Sequence, residues 1–168
     1  MKSIVYIVFF FMCALQVKAQ PGKYAGTMKK IIGITYSDSR NISALKGWQF
    51  REGSVVNPLD DPEMITVDVF NKGTTWTAFF SVKEDTAIDK YKIMDVVEVK
   101  NVLKGWILKT TFCRQHKNES AEIVALVKES STLEYLRPAK KAWRFNRDKR
   151  RFEILNVKGI DCLNEGID

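Results

Sequence analysis

The sequence predicts a mainly β protein made of antiparallel sheets, with six to eight strands and with or without one short helix. Three observations support this class. Apolar residues after position 60 recur at every second position, turn-forming residues separate these runs, and the chain is long enough for one domain. The sheets form a curved sheet, a sandwich or a small barrel, and an α+β fold is the alternative.

The first nineteen residues have the pattern of a cleavable export signal. Lys2 supplies a positive charge, an apolar run spans positions 4–15, and Ala19 ends a small-residue cleavage site. A helix of this apolar run is about 18 Å long, whereas a bilayer core is about 30 Å thick. We therefore predict no transmembrane segment after processing, one exported domain over residues 20–168, and a periplasmic or extracellular location.

The N-terminal third of that domain has a weaker pattern. A strand is possible at 28–36, and a helical turn is possible near 41–46. Residues 52–63 are rich in turn formers, and Pro58 and Pro62 argue against a continuous helix there.

A first hairpin is predicted from two alternating runs, 64–71 and 74–83, joined by Lys72-Gly73 as a two-residue loop. This register pairs residues whose numbers sum to 145 and collects large apolar side chains on one face. The predicted partners are Val69 with Trp76, Val67 with Ala78, and Ile65 with Phe80. A three-residue loop with Gly73 in a bulge is the competing arrangement.

The middle of the chain contains two further predicted strands, 91–100 and 106–113, and one ambiguous segment. Residues 123–127 of the 120–128 segment are apolar in both phases, which is typical of a central strand or of a buried helix. Its β-branched residues favour the strand.

A second hairpin is predicted from 141–147 and 150–157, joined by Asp148-Lys149, with pair numbers that sum to 297. This register places Trp143 and Phe145 in the core. The predicted partners are Phe145 with Phe152, Trp143 with Ile154, Ala142 with Leu155, and Arg144 with Glu153, the last as an exposed ion pair.

Two cysteines, Cys113 and Cys162, remain after processing. An exported chain meets an oxidising compartment, so we predict a disulfide between them, with two buried free thiols as the alternative.

The strongest functional signal is a cluster of cations in residues 137–151, opposed within that segment only by Asp148. The remainder of the processed chain is slightly acidic, so the anion-attracting field belongs to this one segment. An anionic glycan or lipid of the cell envelope is the expected partner, because export disfavours a specific nucleic acid. The candidate anion-binding residues are Arg137, Lys140, Lys141, Arg144, Arg147, Lys149, Arg150 and Arg151.

Other chemistry-bearing residues have weaker patterns. Cys113 and His116 are spaced as a Cys-x-x-His pair, but no second pair completes a zinc site, and a turn histidine is the simpler interpretation. Asp60, Asp61 and Glu63 lack the ligand spacing of a calcium loop and are typical of a turn. We therefore assign no catalytic residue, metal or cofactor, and the oligomeric state is left open.

The sequence favours a small exported binding or accessory protein without catalysis, which contacts its partner through the basic hairpin. Two alternatives belong to other classes. One is a hydrolase or lyase of envelope polymer that uses some of Asp60, Asp61, Glu63 and His116. The other is a β-barrel carrier with an interior cavity lined by residues such as Trp76, Phe80 and Val97.

Overall fold

The computed structural model describes residues 23–56, 63–85, 89–110 and 112–166. The mainly β, antiparallel class is confirmed. Thirteen strands form three sheets in this part of the chain, more than predicted, because four of the strands are only two or three residues long. The strands are β1 (Thr35–Tyr36), β2 (Gln49–Val55), β3 (Ile65–Lys72), β4 (Thr75–Asp85), β5 (Lys90–Val99), β6 (Trp106–Lys109), β7 (Cys113–Gln115), β8 (Asn118–Glu119), β9 (Ile123–Lys128), β10 (Tyr135–Leu136), β11 (Ala139–Asn146), β12 (Arg151–Ile154) and β13 (Ile160–Leu163).

The strands are distributed over three separate antiparallel sheets. Sheet 1 has the order β1-β5-β4-β3-β2, sheet 2 has the order β12-β11-β9-β6, and sheet 3 has the order β10-β13-β7-β8. The short helical elements are 3₁₀ turns at Gly26–Ile31, Ser39–Asn41 and Ser43–Leu45. None of the described helices is long and apolar enough to cross a membrane.

The main core lies between sheets 1 and 2, which pack face to face. Phe80 of β4 stacks on Phe145 of β11 with ring centroids 4.5 Å apart, and Phe152 of β12 meets Phe80 edge to face. Trp143 and Phe145 are buried, as predicted for the aromatic face of the second hairpin.

Two further layers cover the outer faces of sheets 1 and 2. On sheet 1, Phe70 and Phe79 pack against the N-terminal 3₁₀ segments, which contribute Met28 and Ile31. Sheet 3 covers the other side of sheet 2. The central strands β4 and β9 are therefore buried on both faces over 77–82 and 123–127, which explains why apolar residues occur there in both phases.

The predicted disulfide between Cys113 and Cys162 is confirmed. The two residues are direct cross-strand partners on β7 and β13, and both are fully buried. The bond fixes the last strand of the chain within sheet 3.

The register predicted for the first hairpin is wrong: each residue of the first strand pairs two residues further along the second strand than predicted. Lys72 pairs with Thr75, so the loop is Gly73-Thr74 and the pair numbers sum to 147. The glycine takes the positive φ, +56°, at the first loop position, which is the position that a type II′ turn requires. The observed partners are Val69 with Ala78, Val67 with Phe80, and Ile65 with Val82.

The second hairpin has the predicted register. Phe145 pairs with Phe152, and Trp143 with Ile154. Leu155 donates its backbone N–H to the carbonyl of Ala142 at 2.9 Å, which continues the same alignment.

The strand interpretation of 120–128 is confirmed, because β9 is a central strand with both faces buried. The predicted strand 106–113 is interrupted. β6 ends at Lys109 in sheet 2, and β7 starts at Cys113 in sheet 3, so the chain changes sheets between them.

The N-terminal predictions are corrected in two places. The predicted strand 28–36 begins as a 3₁₀ helix, whose three-residue period places Met28 and Ile31 on one buried side. The predicted turn-rich segment 52–63 begins inside β2, and the helical turn near 41–46 is formed by two short 3₁₀ turns. The export signal and residues 57–62 lie outside the described residues.

Candidate functional site

The basic segment consists of two parts with different charge environments. In the first part, which we call the turn half, each cation lies within ion-pair distance of a carboxylate. The turn half consists of Arg147, Lys149, Arg150 and Arg151. Arg147 Nε lies 2.6 Å from Glu122 and Lys149 Nζ lies 2.7 Å from Glu153. Arg150 pairs with Glu63, and Arg151 lies 3.8 Å from Glu153. With Asp148 in the same turn, the four cations meet four carboxylates, so this half has little net charge.

In the second part, which we call the strand half, the cations have no such carboxylate partners among the described residues. The strand half consists of Arg137, Lys140, Lys141 and Arg144. Arg137, Lys140 and Lys141 are exposed, and no carboxylate of the described residues lies within ion-pair distance of them. The pairing with β9 is irregular between Ala139 and Lys141, so two consecutive lysines both reach solvent. The positive field predicted from residues 137–151 is therefore concentrated at the start of β11.

Arg144 lies opposite Glu153 in the ladder, as predicted, but the predicted ion pair does not form. The Glu153 carboxylate instead accepts hydrogen bonds from Lys149 at 2.7 Å and Asn146 at 3.1 Å, and these bonds hold its pKa below the usual range. The Nε of Arg144 is buried and has no hydrogen-bond acceptor among the described residues.

Trp106, the first residue of β6, lies beside the unpaired lysines. Lys140 Nζ lies 5.7 Å from the centroid of the Trp106 ring, a cation–π distance. Trp106, Lys100, Lys140 and Lys141 are among the residues that line a small cavity of about 60 Å³. The indole therefore has a positively charged surface on one side.

Trp106 also lines a larger cavity of about 540 Å³, which we call the tryptophan cleft. It opens at the end of the sandwich where β4 and β6 begin, and Trp76 is its second indole. Its volume is within the range of small-molecule sites. The cleft is lined by Arg51, Glu52, Asn71, Gly73, Thr74, Trp76, Val102, Leu103, Lys104, Gly105, Trp106, Ile107, Leu108, Lys109 and Glu129.

Arg51 of β2 is a cation of this cleft that has neutral partners. Its Nε donates to Asn71 Oδ1 at 2.6 Å, and one terminal nitrogen donates to Gln49 Oε1 at 2.7 Å. The guanidinium also lies 5.8 Å from the centroid of the Trp76 ring. These contacts orient the guanidinium while leaving its charge uncompensated, as a site for an anion requires.

Lys109, a second cation of the cleft, has a structural role. It pairs with Glu52 and lies 3.0 Å from Glu165. Burial lowers the pKa of its ammonium group, but the two carboxylates outweigh this effect and hold the pKa above its usual value. Glu52 Oε1 also accepts the backbone N–H of Thr110 at 2.5 Å, which fixes the end of β6.

The residues of the predicted hydrolytic alternative are not assembled into a described site. Glu63 is bound to Arg150, and Asp60 and Asp61 lie outside the described residues. His116 is exposed in the two-residue loop between β7 and β8 and lies against Gly159. No group of three or more His, Cys, Asp or Glu side chains in the described ranges could hold a metal ion.

Of the residues predicted to line a carrier cavity, Phe80 and Val97 are fully buried in the packed core between sheets 1 and 2. Trp76 is partly buried and lines the tryptophan cleft at the end of the sandwich. The three residues therefore do not share one cavity.

Sequence reasoning missed Arg51 because β2 lies in a stretch whose pattern is irregular. The alternation of Gln49, Arg51 and Gly53 was the available signal, but it contains no apolar phase that identifies a strand. The nearness of Trp76 and Trp106 depends on the packing of two sheets, which pattern alone does not define.

Comparisons of the chain with protein families, with curated proteins and with solved structures give no significant match.

Proposed function

We propose that this protein is an exported, non-catalytic binding protein that takes an anionic glycan at the tryptophan cleft. The observation that carries the proposal is the position of Trp106. Its indole is shared by the cleft and by the lysine surface at the start of β11.

The charges around the cleft favour an anionic ligand, because two exposed cations of its described lining, Arg51 and Lys104, face one exposed carboxylate, Glu129. Lys140 and Lys141 are exposed with no carboxylate of the described chain in ion-pair reach, and Arg51 is held by amide oxygens. The turn half of the basic segment is neutralised by its own carboxylates and does not contribute. A ligand carboxylate or sulfate would therefore meet Arg51 in the cleft and the two lysines beside Trp106.

The shape of the cleft favours a glycan over a lipid surface. Two indoles in a cavity of about 540 Å³ offer apolar walls for sugar rings, and the exposed Thr74 adds a polar group to the lining. A flat lipid surface would use the exposed cations but not the interior of the cleft.

The disulfide supports the exported location, since such bonds persist in oxidising compartments. We place the protein in the periplasm or outside the cell, where anionic envelope polymers are available.

The test is calorimetric titration of the purified exported protein with tetragalacturonate, which carries a carboxylate on each sugar. Binding should weaken as salt increases, and the fully methyl-esterified oligomer should bind about tenfold more weakly or not at all. The variant Lys140→Gln/Lys141→Gln should lose about tenfold or more in affinity, and Arg51→Gln should do the same.

The matched control is Lys149→Gln/Arg151→Gln, which removes the same charge from the turn half and should leave affinity within about twofold. Near-ultraviolet circular dichroism checks the fold of each variant. Equal losses in the two double variants, or no binding of the charged oligomer, would refute the proposal. Charge-dependent binding only to phosphatidylglycerol vesicles would assign the surface to lipid instead.

A further inference from the structure

A second cavity lies on the outer face of sheet 1 and shares no lining residue with the tryptophan cleft. It has a volume of about 510 Å³, and we call it the aspartate groove. Three aromatic side chains, Tyr36, Phe50 and Tyr91, line it together with the carboxylate of Asp68. Nothing in the proposed glycan binding uses this groove.

Asp68 is held in place by its neighbours. It projects from β3 opposite Gly53 of β2, where a Cβ atom would lie only 2.6 Å from Asp68 Oδ1. The other carboxylate oxygen, Oδ2, lies 3.1 Å from the hydroxyl of Tyr36, which donates to it. The Tyr36 hydroxyl is also 2.9 Å from Ser81 Oγ. The carboxylate therefore sits over a glycine, with its position set by the phenol.

Among the described residues that line it, the groove carries one negative charge that its cation does not balance. Arg40 is the cation that lines it, and its guanidinium bonds Asp38 with Nε at 2.9 Å and a terminal nitrogen at 2.8 Å. The charges of Arg40 and Asp38 therefore cancel, and Asp68 remains. β2 and β4 contribute the uncharged Gly53 and Ser81 beside it.

The environment of Asp68 disfavours its charge. Burial raises the pKa of this carboxyl to about 6, and the charge of Asp38 adds to the effect, against hydrogen bonds from Tyr36 and Ser39. Burial, followed by the charge of Asp68, also raises the pKa of Tyr36. A cation placed beside Asp68 would stabilise the charged carboxylate and would therefore oppose both increases in pKa.

The aromatic walls suit a cation as well. The rings of Tyr36 and Tyr91 stack with centroids 5.9 Å apart, and Phe50 of the edge strand β2 keeps 43% of its surface exposed. The electron-rich faces of aromatic rings attract ammonium groups, and quaternary ammonium ions are bound in this way.

We propose that the aspartate groove binds an organic ammonium ion, with Asp68 as its counter-ion and Tyr36, Tyr91 and Phe50 as its aromatic walls. A bound metal ion would need several hard ligands, and no group of three or more His, Cys, Asp or Glu side chains in the described chain could supply them. An anion would be repelled by the carboxylate. The ligand is thus opposite in charge to the one taken by the tryptophan cleft.

The test is titration of the full exported protein with choline and with its neutral isostere, 3,3-dimethyl-1-butanol, at pH 7.5 and pH 5. Choline should bind at least about tenfold more tightly than the isostere at pH 7.5. Its affinity should fall about tenfold at pH 5, where a carboxyl with a pKa of about 6 is mostly protonated. Choline keeps its charge at both values, so the change reports on the groove.

Asp68→Asn should abolish choline binding, whereas Asp148→Asn, which removes a charge from the exposed turn of the second hairpin, should not change it. Phe50→Ala tests the aromatic wall at an exposed position and should weaken choline several-fold even if Asp68→Asn fails to fold. Equal affinity for choline and its isostere, or choline binding unchanged at pH 5, would overturn the proposal. Failure here leaves the tryptophan cleft untouched, because the two cavities share no residue.

Discussion

At the scale of single residues, Asp68 shows how burial changes the pKa of a carboxyl group. The sequence alone indicates only that this residue lies on a strand. Its folded-state pKa of about 6 lies above the unfolded value of 3.8, so the folded protein binds more protons between these pH values. The contribution of Asp68 to stability is therefore fully present below about pH 4 and is lost as pH rises through about 6.

At each pH, the free energy of unfolding of Asp68→Asn is compared with that of the unaltered protein. We expect this difference to favour the variant by roughly 1–2 kcal/mol more at pH 7 than at pH 4, because only the unaltered protein has to bury a charged carboxylate at pH 7. Urea unfolding at the two pH values measures this difference. The exposed variant Asp148→Asn, which removes a carboxylate outside the groove, is measured beside it as the control. A difference for Asp68→Asn that does not depend on pH would mean that its carboxyl titrates normally in the fold.

Arg144 shows why a predicted ion pair can fail even when the strand register is correct. The register correctly placed it opposite Glu153, but a ladder position does not decide which of several nearby cations the carboxylate binds. Lys149, four residues before Glu153, reaches it across the turn. Competition among side chains of a crowded segment depends on rotamers and burial, which period-two reasoning does not include.

At the scale of elements, the two hairpins show what alternation can and cannot determine. A slip of one residue would turn every side chain of a strand to the wrong face, so alternation excludes it. A change of two in the pair sum keeps all faces, and in the first hairpin only the turn geometry of Gly73 decides between 145 and 147. The second hairpin, with its Phe145–Phe152 pair, had the right register.

The link between β7 and β13 yields a prediction about stability. The disulfide joins positions 49 residues apart, so it restricts the unfolded chain strongly. The variant Cys113→Ser/Cys162→Ser should lose about 2–4 kcal/mol in the free energy of unfolding, measured by urea denaturation.

The control for this prediction is the unaltered protein with and without reductant under the same conditions. Reduction should destabilise the unaltered protein and leave the double variant unchanged. A double variant as stable as the oxidised protein would show that the packing of sheet 3 suffices without the bond.

At the scale of the whole molecule, the fold is a stack of layers whose central contact is aromatic. Period-two patterns predicted the class because each strand must alternate faces. They did not predict three sheets, because β6 and β7 are separated by only a short crossing between layers. The tryptophan cleft lies where two sheets end, and for this reason its members were not grouped from sequence.

A substitution of Phe145 tests how much the packing between sheets 1 and 2 contributes to the free energy of unfolding. Its ring stacks on Phe80 across the two sheets at 4.5 Å, so Phe145→Ala should cost about 3–5 kcal/mol in the free energy of unfolding. Ile154→Ala on the adjacent strand, where 67% of the side chain is exposed, should change it by less than about 0.5 kcal/mol. Similar effects of the two substitutions in urea titrations would contradict a shared core between sheets 1 and 2.

The covalent ring closed by Cys113 and Cys162 encloses β8 to β12, and thus most of sheet 2 and the whole basic segment. A mechanical load applied between the chain ends would pass through the sulfur bridge and bypass those strands. Stretching the oxidised protein should therefore leave about 170 Å of contour length hidden, at about 3.5 Å for each of the 49 residue steps, and reduction should release it.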